Sequence, residues 1–266
     1  MKCVKFVSLC MCMCCLFSVS AWATSEPVAL WDFEDNLNDT GALPADNLTA
    51  GGTAGAIGFN ADHKTGSKSG QFTYTDTTTM NYGKATLSDY SAWTFAMWVK
   101  PTTVTDSYFF TGGYNTGIDV ATRNIEFRRT GQELLVYVGT SAKGDTRPAP
   151  VGYQLATNEW VHAAFTLDET ITDPSMFNWA FYVNGVKLQE GNTANKIGSS
   201  TLGTEFYVGA RKYNSGTSGM TGFLDDVRIY DRALNGTEIS NVYVGIPEPA
   251  TIALLGLGLI SFLRKK

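Results

Sequence analysis

The sequence predicts an all-β sandwich that ends in one short helix. Four observations support this fold class. Several segments alternate with the period of two that is typical of strands, and an Asn-Gly pair between two apolar segments indicates a tight hairpin. Only one segment carries the residues that start helices. The 266 residues include 27 glycines, and 12% are aromatic, which suits strands and tight turns.

The strand signal is strongest in the segment WTFAMWVKP, from Trp93 to Pro101. Phe95, Met97 and Val99 share one face, and the alternate residues are also largely apolar. A strand with two apolar faces belongs inside a sandwich rather than at its edge. Further strands are predicted for ELLVYVG, EWVHAAFTLD, EFYVGA and GFLDDVRIYDRAL.

Two local signals define a hairpin and the helix. In FYVNGVKL, Asn184 and Gly185 predict a type I′ turn, in which both central residues have positive φ. Asn235 and Glu238 stand three residues apart, as the two members of a capping box do. The apolar side of the helix that follows is formed by Ile239, Val242 and Tyr243.

The N-terminal segment, residues 1–23, is predicted to be a signal peptide. It combines two early lysines with an apolar stretch from Phe6 to Val19. Ala21 and Ala23 fit the small-x-small rule, so we expect cleavage after Ala23. All five cysteines lie inside this leader, and the mature chain is therefore expected to fold without disulfides. The alternative is an uncleaved membrane anchor.

The C-terminal segment, residues 246–266, is predicted to be a hydrophobic helix. Ala250 to Leu263 carries no charge, and a helix of that length covers roughly 21 Å of a hydrocarbon core about 30 Å thick. Arg264, Lys265 and Lys266 favour the cytoplasmic side. The chain is therefore expected to be exported and then held transiently at the inner membrane by this helix.

This tail resembles the PEP-CTERM sorting signal of Gram-negative bacteria. The resemblance rests on Pro247, Glu248 and Pro249, the apolar segment after them, and the terminal Arg264–Lys266. Ile246 stands where the usual form has valine. The resemblance implies recognition by an exosortase, a membrane protease, followed by release or transfer to the cell surface or extracellular matrix. A plain tail anchor is the alternative.

The segment between the termini, residues 24–245, resembles a laminin-G-like domain of the concanavalin A-like lectin/glucanase superfamily. The resemblance covers Val28 to Tyr243 and is carried by LWDFEDNLNDTG, WTFAMWVKP, EWVHAAFTLD, FYVNGVKL, FYVGARKY and GFLDDVRIYDRAL followed by EI. It implies a jelly roll of two antiparallel sheets. It also implies a binding or adhesive role, often toward carbohydrate and sometimes with calcium.

The sequence does not predict an enzyme. The superfamily that residues 24–245 resemble also includes glycosidases, whose two carboxylates lie on one strand face, typically as Glu-x-Asp-x-x-Glu or Glu-x-Asp-x-Glu; neither pattern occurs in this chain. Asp32 and Glu34 could share a face, so a cryptic glycoside hydrolase is one alternative. His63 and His162 are the only histidines, which argues against a zinc site and against a Ser-His-Asp triad. We interpret His162 as structural.

Asp225 is the candidate metal ligand. It has the same strand phase as Phe223, Val227 and Ile229, which predicts that its carboxylate points into the core. A buried carboxylate needs partners, so Asp225 either binds calcium or accepts hydrogen bonds from backbone N–H groups or an arginine. Asp226 is assigned to the opposite face, in a surface or cross-strand pair.

Tyr114, Tyr153 and Tyr213 lie in or near predicted loops and are the candidate sugar-binding residues. The alternative is that they close the ends of the sandwich.

The whole chain carries a net charge of −5, and its termini hold five of the 20 basic residues, so residues 24–245 are more acidic still. This charge excludes nucleic acid as a partner. The resulting hypothesis is a non-catalytic surface protein that binds extracellular polysaccharide; a passive matrix component without a small ligand is a further alternative.

Overall fold

The computed structural model describes residues 26–42, 46–76, 79–88, 90–113, 125–139, 145–146, 152–172, 176–194, 203–212 and 217–245. These belong to one compact unit, residues 25–246. In chain order the elements are β1 (Ala29–Trp31), β2 (Thr49–Gly52), β3 (Gly58–Asn60), β4 (Ser69–Phe72), β5 (Tyr74–Asp76), β6 (Thr79–Thr86), β7 (Ala92–Pro101), β8 (Ser107–Gly113), β9 (Ile125–Thr130), β10 (Glu133–Gly139), β11 (Asp145–Thr146), β12 (Val161–Asp168), β13 (Met176–Val183), β14 (Val186–Ala194), β15 (Gly203–Val208), β16 (Ala210–Lys212), β17 (Thr217–Gly219), β18 (Gly222–Tyr230) and α1 (Gly236–Val244).

The strands form two large antiparallel sheets. Sheet one has the order β14-β13-β12-β7-β18-β4-β3, with β1 also paired to β18; sheet two has the order β11-β10-β9-β8-β15-β6-β2, with β5 paired to β6. Strands β16 and β17 pair as a separate short ribbon. The two sheets pack through aromatic side chains, with ring centroids 5.0 Å apart for Phe95 and Phe110 and 5.6 Å apart for Phe127 and Phe181. The predicted sandwich of two antiparallel sheets is confirmed.

The predicted internal strand is β7. It lies between β12 and β18 in sheet one, and its first eight residues are buried. Phe95, Met97 and Val99 enter the core between the sheets, while Ala96 and Trp98 belong to the opposite, outer face. Helix α1 and the segment before it pack over Ala96 on the outer face of sheet one, which explains why both faces of this strand are apolar.

The predicted hairpin joins β13 and β14. Asn184 has φ 49° and Gly185 has φ 76°, so both central residues have the positive φ that a type I′ turn requires. The pairing begins with Val183 opposite Val186, and it shifts by one residue at a bulge between Phe181 and Tyr182. β14 is the edge strand of sheet one.

Helix α1 has the predicted capping box. The side chain of Asn235 accepts hydrogen bonds from the N–H groups of Thr237 and Glu238, at 2.9 and 3.1 Å, and Glu238 accepts from the N–H of Asn235 at 2.8 Å. Arg232 donates to both carboxylate oxygens of Glu238 at 2.9 Å. The helix ends at Gly245 in the left-handed conformation. A second apolar cluster lies under the helix on the outer face of sheet one: Ala96, Ala164, Ala180, Tyr182, Tyr230, Leu234, Ile239 and Val242.

Strand β18 departs from the predicted alternation. Its pairing with β7 is interrupted between Asp225 and Arg228, and Asp226 has a φ of 51°. The bulge shifts the alternation of side chains between the two faces by one residue. As a result, Leu224 before the bulge and Val227 after it both face the core, although they are three residues apart. The prediction that Asp225 shares the face of Val227 is therefore wrong: Asp225 is opposite Trp98, on the outer face of sheet one.

The two terminal segments lie outside the described residues. They include the predicted cleavage residues Ala21 and Ala23 and the tail from Pro247 to Lys266. In the part of the chain that the structure describes, no helix is both long and apolar enough to cross a bilayer.

Candidate functional site

The structure describes one of the three candidate sugar-binding tyrosines. Tyr153 is half-buried and packs against the core, and its carbonyl accepts a hydrogen bond from the N–H of Leu134 at 3.0 Å. This position matches the alternative in which the tyrosine closes the end of the sandwich. Tyr114 and Tyr213 lie outside the described residues.

The carboxylates of Asp32 and Glu34 follow β1 rather than lying within a strand. Phe33, between them, has a φ of 57°, so the simple alternation that would place both on one face does not apply. Glu34 accepts hydrogen bonds from the N–H of Ser67 at 2.7 Å, the hydroxyl of Ser67 at 2.5 Å and the N–H of Lys68 at 3.1 Å. These bonds, the Ser67 hydroxyl first, lower the pKa of Glu34, although burial opposes them. A general acid needs a raised pKa.

The carboxylate of Asp225 connects β18 to the loop that precedes β4. Its Oδ2 accepts hydrogen bonds from the N–H groups of Lys64 at 2.7 Å and Thr65 at 2.8 Å, and its Oδ1 accepts from the hydroxyl of Thr65 at 3.1 Å. Asp225 is fully buried, and this burial raises its pKa to about 6 against the opposing effect of the hydrogen bonds. N–H donors that point at a carboxylate occupy the positions that a cation would need.

Asp226 does not complete a cation site with Asp225. Its Oδ1 accepts from Nε of Arg228 at 2.8 Å, and the pair is mostly buried. Burial tends to lower the pKa of Arg228, but the charge of Asp226 and the contact with Tyr230 raise it overall. Among the described residues, no group of three or more His, Cys, Asp and Glu side chains could hold a metal ion. The described partners of Asp225 are hydrogen-bond donors, and calcium binding at Asp225 stays a prediction.

His162 lies on β12, on the outer face of sheet one, with Trp98 of β7 between it and Asp225 of β18. Its ring packs at 5.2 Å from Trp98 and 5.7 Å from Tyr243 of helix α1, and the ammonium of Lys64 lies 4.5 Å from the Trp98 ring centroid. Only 1% of His162 is exposed, and burial followed by the charge of Arg228 lowers its pKa to about 3. The imidazole is neutral at physiological pH, which agrees with the structural role that the sequence predicts.

Sheet two carries a network of buried charges that the sequence analysis did not single out. The hydroxyl of Tyr108 accepts from Nη1 of Arg128 at 2.9 Å and Nη1 of Arg211 at 2.8 Å. The same arginines pair with Glu126, at 3.3 Å from Arg128 and 2.8 Å from Arg211. Glu126 is 2% exposed, and the two arginines compensate the charge of this buried carboxylate.

The outer face of sheet one has a groove at its β14 edge with a volume of about 480 Å³. Asp168 on β12, Asn178 on β13 and Asn192 on β14 form one side, because the backbone register places them directly opposite one another. The amide of Asn192 donates to the amide oxygen of Asn178 at 2.9 Å. The result is a row of one carboxylate and two amides across three adjacent strands.

A second cross-strand row forms the floor of the groove. Thr166, Ala180 and Glu190 lie opposite one another on the same three strands. The small side chain of Ala180 leaves the depression between the larger polar groups. Ala233, in the segment between β18 and α1, also lines the groove. Sequence reasoning missed this site because its residues come from three separate segments and none belongs to a recognisable motif.

A family model described as the concanavalin A-like lectin/glucanases superfamily matches residues 69–240, more than half of the chain. This chain belongs to that superfamily. A second model, the PEP-CTERM protein-sorting motif, matches residues 245–266. Both resemblances found in the sequence are therefore confirmed, and the motif implies export and processing by an exosortase. A comparison with curated protein sequences gives no match.

Solved structures of this superfamily fold are similar to the chain at low sequence identity. Domain 4 of AbnA, an extracellular arabinanase from Geobacillus stearothermophilus whose structure holds arabinotriose, is 18% identical with a TM-score of 0.62; the match covers 82% of this chain and 98% of that domain. The receptor-binding domain of botulinum neurotoxin type G is 14% identical with a TM-score of 0.57, over 82% of this chain and 51% of the other. The chain thus spans about half the length of the neurotoxin domain.

Proposed function

We propose that the protein is an exported, non-catalytic glycan-binding or adhesive protein of the cell surface or extracellular matrix. The observation that carries the proposal is the combination, in one chain, of a concanavalin A-like domain with a PEP-CTERM motif directly after it. The fold supplies a rigid sandwich with a polar groove, and the motif supplies the route to the surface. Extracellular polysaccharide is the proposed partner.

Glu34 and Asp225 do not supply the pair of carboxylates that glycoside hydrolysis needs. Glycoside hydrolysis needs one carboxylic acid with a raised pKa and a second, ionised carboxylate facing it across the glycosidic bond. Glu34 has a lowered pKa and holds the loop at Ser67, whereas Asp225 has a raised pKa but is sealed under Lys64 and Thr65. The groove is lined by two other carboxylates, Asp168 and Glu190, so hydrolysis stays the alternative that recovery of the intact sugar tests.

A glycan array tests the binding proposal directly. The full chain, purified in mild detergent, is applied to an array of neutral and acidic oligosaccharides that includes arabinotriose, because the similar AbnA domain was solved with that sugar. Running the array with calcium and with a chelator also tests the calcium prediction. Binding to at least one glycan supports the proposal, whereas no binding in either condition favours the passive matrix component.

The tail is proposed to hold the chain briefly at the inner membrane before an exosortase cuts it. Its 14 uncharged residues are too short to span a bilayer comfortably, and Arg264, Lys265 and Lys266 keep it from passing through. Mass spectrometry of the surface-exposed and shed protein tests this step. Peptides that end near Pro249 support cleavage, and peptides that reach Leu263 support an uncut anchor.

A further inference from the structure

The groove at the β14 edge of sheet one presents a balanced set of hydrogen-bonding groups. The Oδ1 atom of Asp168 accepts from the N–H of Thr170 at 2.8 Å and from its hydroxyl at 2.6 Å, which leaves Oδ2 as an acceptor. Within the described residues, the single contact between Asn178 and Asn192 leaves the N–H₂ donor of Asn178 and the amide oxygen of Asn192 available. Donors and acceptors thus alternate along the row.

This alternation suits a ligand with adjacent hydroxyl groups. A hydroxyl both donates and accepts, so one hydroxyl can donate to Oδ2 of Asp168 while it accepts from the amide of Asn178. A neighbouring hydroxyl can then donate to the amide oxygen of Asn192. Adjacent strands lie about 4.8 Å apart, so the three side chains extend over about 10 Å, a length that accommodates a sugar ring and its substituents.

The charge of the groove selects against acidic ligands. Asp168 and Glu190 are the carboxylates that line it. The ammonium of Lys187 lies 2.6 Å from Glu190, whereas no cation of the described residues pairs with Asp168. An incoming carboxylate or sulfate would therefore meet one uncompensated negative charge at Asp168. Neutral hydroxyl-bearing ligands do not meet this repulsion.

Trp179 and the glycine opposite it lie on the core side of these edge strands. Trp179 lines the groove, and Gly191 lies opposite it on β14. A side chain at position 191 would meet the indole, since a Cβ there would lie 2.7 Å from its ring. Because Trp179 is only 8% exposed and belongs to the core cluster, glycine at position 191 makes room for the indole inside the sandwich, and the polar row rather than an aromatic surface forms the proposed contact.

We propose that this groove is a binding site for a neutral saccharide, with Asp168, Asn178 and Asn192 as its hydroxyl-binding residues. The volume of about 480 Å³ falls within the range of about 300–1,000 Å³ found for small-molecule sites. The inference rests on the proposed glycan-binding function and specifies both the place and the ligand class.

The test measures binding of Asn178→Ala, Asn192→Ala and Asp168→Asn to the glycan array, followed by calorimetry with the neutral trisaccharide that gives the strongest signal. Each Asn→Ala change should weaken binding about 3- to 10-fold, the effect of one lost hydrogen bond. Asp168→Asn keeps a carbonyl acceptor for the Thr170 bonds and should weaken binding about tenfold or more, because a charged acceptor is lost.

Gln71→Ala is the matched control, since Gln71 is an exposed polar residue on β4 of the same sheet, away from the groove. It should leave binding unchanged, and thermal unfolding of all four variants verifies their folding. Wild-type binding that none of the three groove changes weakens would overturn the site while leaving the glycan-binding function intact. Preference for uronic-acid oligosaccharides would overturn the ligand class, and an array without any signal would overturn the function itself.

Discussion

Replacing Asp225 with asparagine isolates the energetic effect of one buried charge. The amide oxygen of the variant can accept the two hydrogen bonds that Oδ2 now accepts from the N–H groups of Lys64 and Thr65. The amide N–H₂ can donate to the hydroxyl of Thr65, which now lies 3.1 Å from Oδ1. The variant therefore preserves the contacts and removes the titration.

The magnitude follows from the pKa of Asp225, which burial raises to about 6 from an ordinary 3.8. Because the folded pKa is the higher one, the stability linked to this group is fully present below pH 3.8 and is lost as the pH rises through 6. One pKa unit corresponds to about 1.4 kcal/mol. Relative to Asp225→Asn, the wild-type free energy of unfolding should fall by about 3 kcal/mol between pH 3.5 and pH 7.

Urea unfolding followed by tryptophan fluorescence at several pH values gives this difference. The comparison cancels the titration of His162 and of every other group that both proteins share. Asp225→Ala, which leaves the N–H groups of Lys64 and Thr65 without their acceptor, should be less stable than Asp225→Asn by about 2–5 kcal/mol at every pH. A difference between wild type and Asp225→Asn that stays constant with pH would refute the buried, hydrogen-bonded carboxylate described here.

Three further predictions concern the frame around the site. The pKa of His162 is about 3 in the folded protein and 6.5 ordinarily, so the free energy of unfolding should fall by up to about 5 kcal/mol as the pH drops from 6.5 toward 3. His162→Gln should reduce this pH dependence in the same urea experiment. Gly209 has a φ of 82°, and a Cβ there would lie 2.1 Å from the ring of Phe72, so Gly209→Ala should lower the free energy of unfolding by about 3 kcal/mol or more, as measured by thermal unfolding. Gly131 has a φ of 60° and open space around it, so Gly131→Ala should lower it by only about 1 kcal/mol. Equal losses in the two variants would contradict the packing at Phe72. Asn235→Ala should destabilise α1 by about 1 kcal/mol and Asn235→Asp should not, as measured by thermal unfolding; equal effects of the two changes would contradict the cap.

Local signals in the sequence predicted much of the fold. The period-two pattern of β7, the Asn184-Gly185 turn and the Asn235 capping box each depend on residues within a few positions of one another. The fold class and both family resemblances follow from such segments and their order along the chain. The period-two pattern gave the wrong face for Asp225 in β18, because the positive φ of Asp226 reverses the alternation of side chains. No neighbouring glycine in the sequence indicates this positive φ.

The groove could not be predicted because it depends on strand register. An uninterrupted pairing from Val183 opposite Val186 would place Asn178 opposite Gly191. The bulge between Phe181 and Tyr182 shifts the pairing by one residue and brings Asn192 opposite Asn178 instead. A single displaced residue thus creates the polar row, and nothing in the local sequence marks it.

Of the three loop tyrosines, Tyr114 and Tyr213 lie outside the described residues and stay a prediction. Aromatic residues near loops are reasonable sugar-binding candidates, but Tyr153 packs against the core. The residues that line the groove are instead ordinary strand residues whose polarity looks like a solvent-exposed face. Only the pairing of β12, β13 and β14 brings them together.

The most direct test of a binding rather than catalytic role is prolonged incubation of the full chain with its best-bound oligosaccharide, with chromatographic analysis of the sugar afterwards. The account predicts saturable binding and quantitative recovery of the intact oligosaccharide. Shorter sugars with new reducing ends, formed in proportion to protein and time, would contradict it.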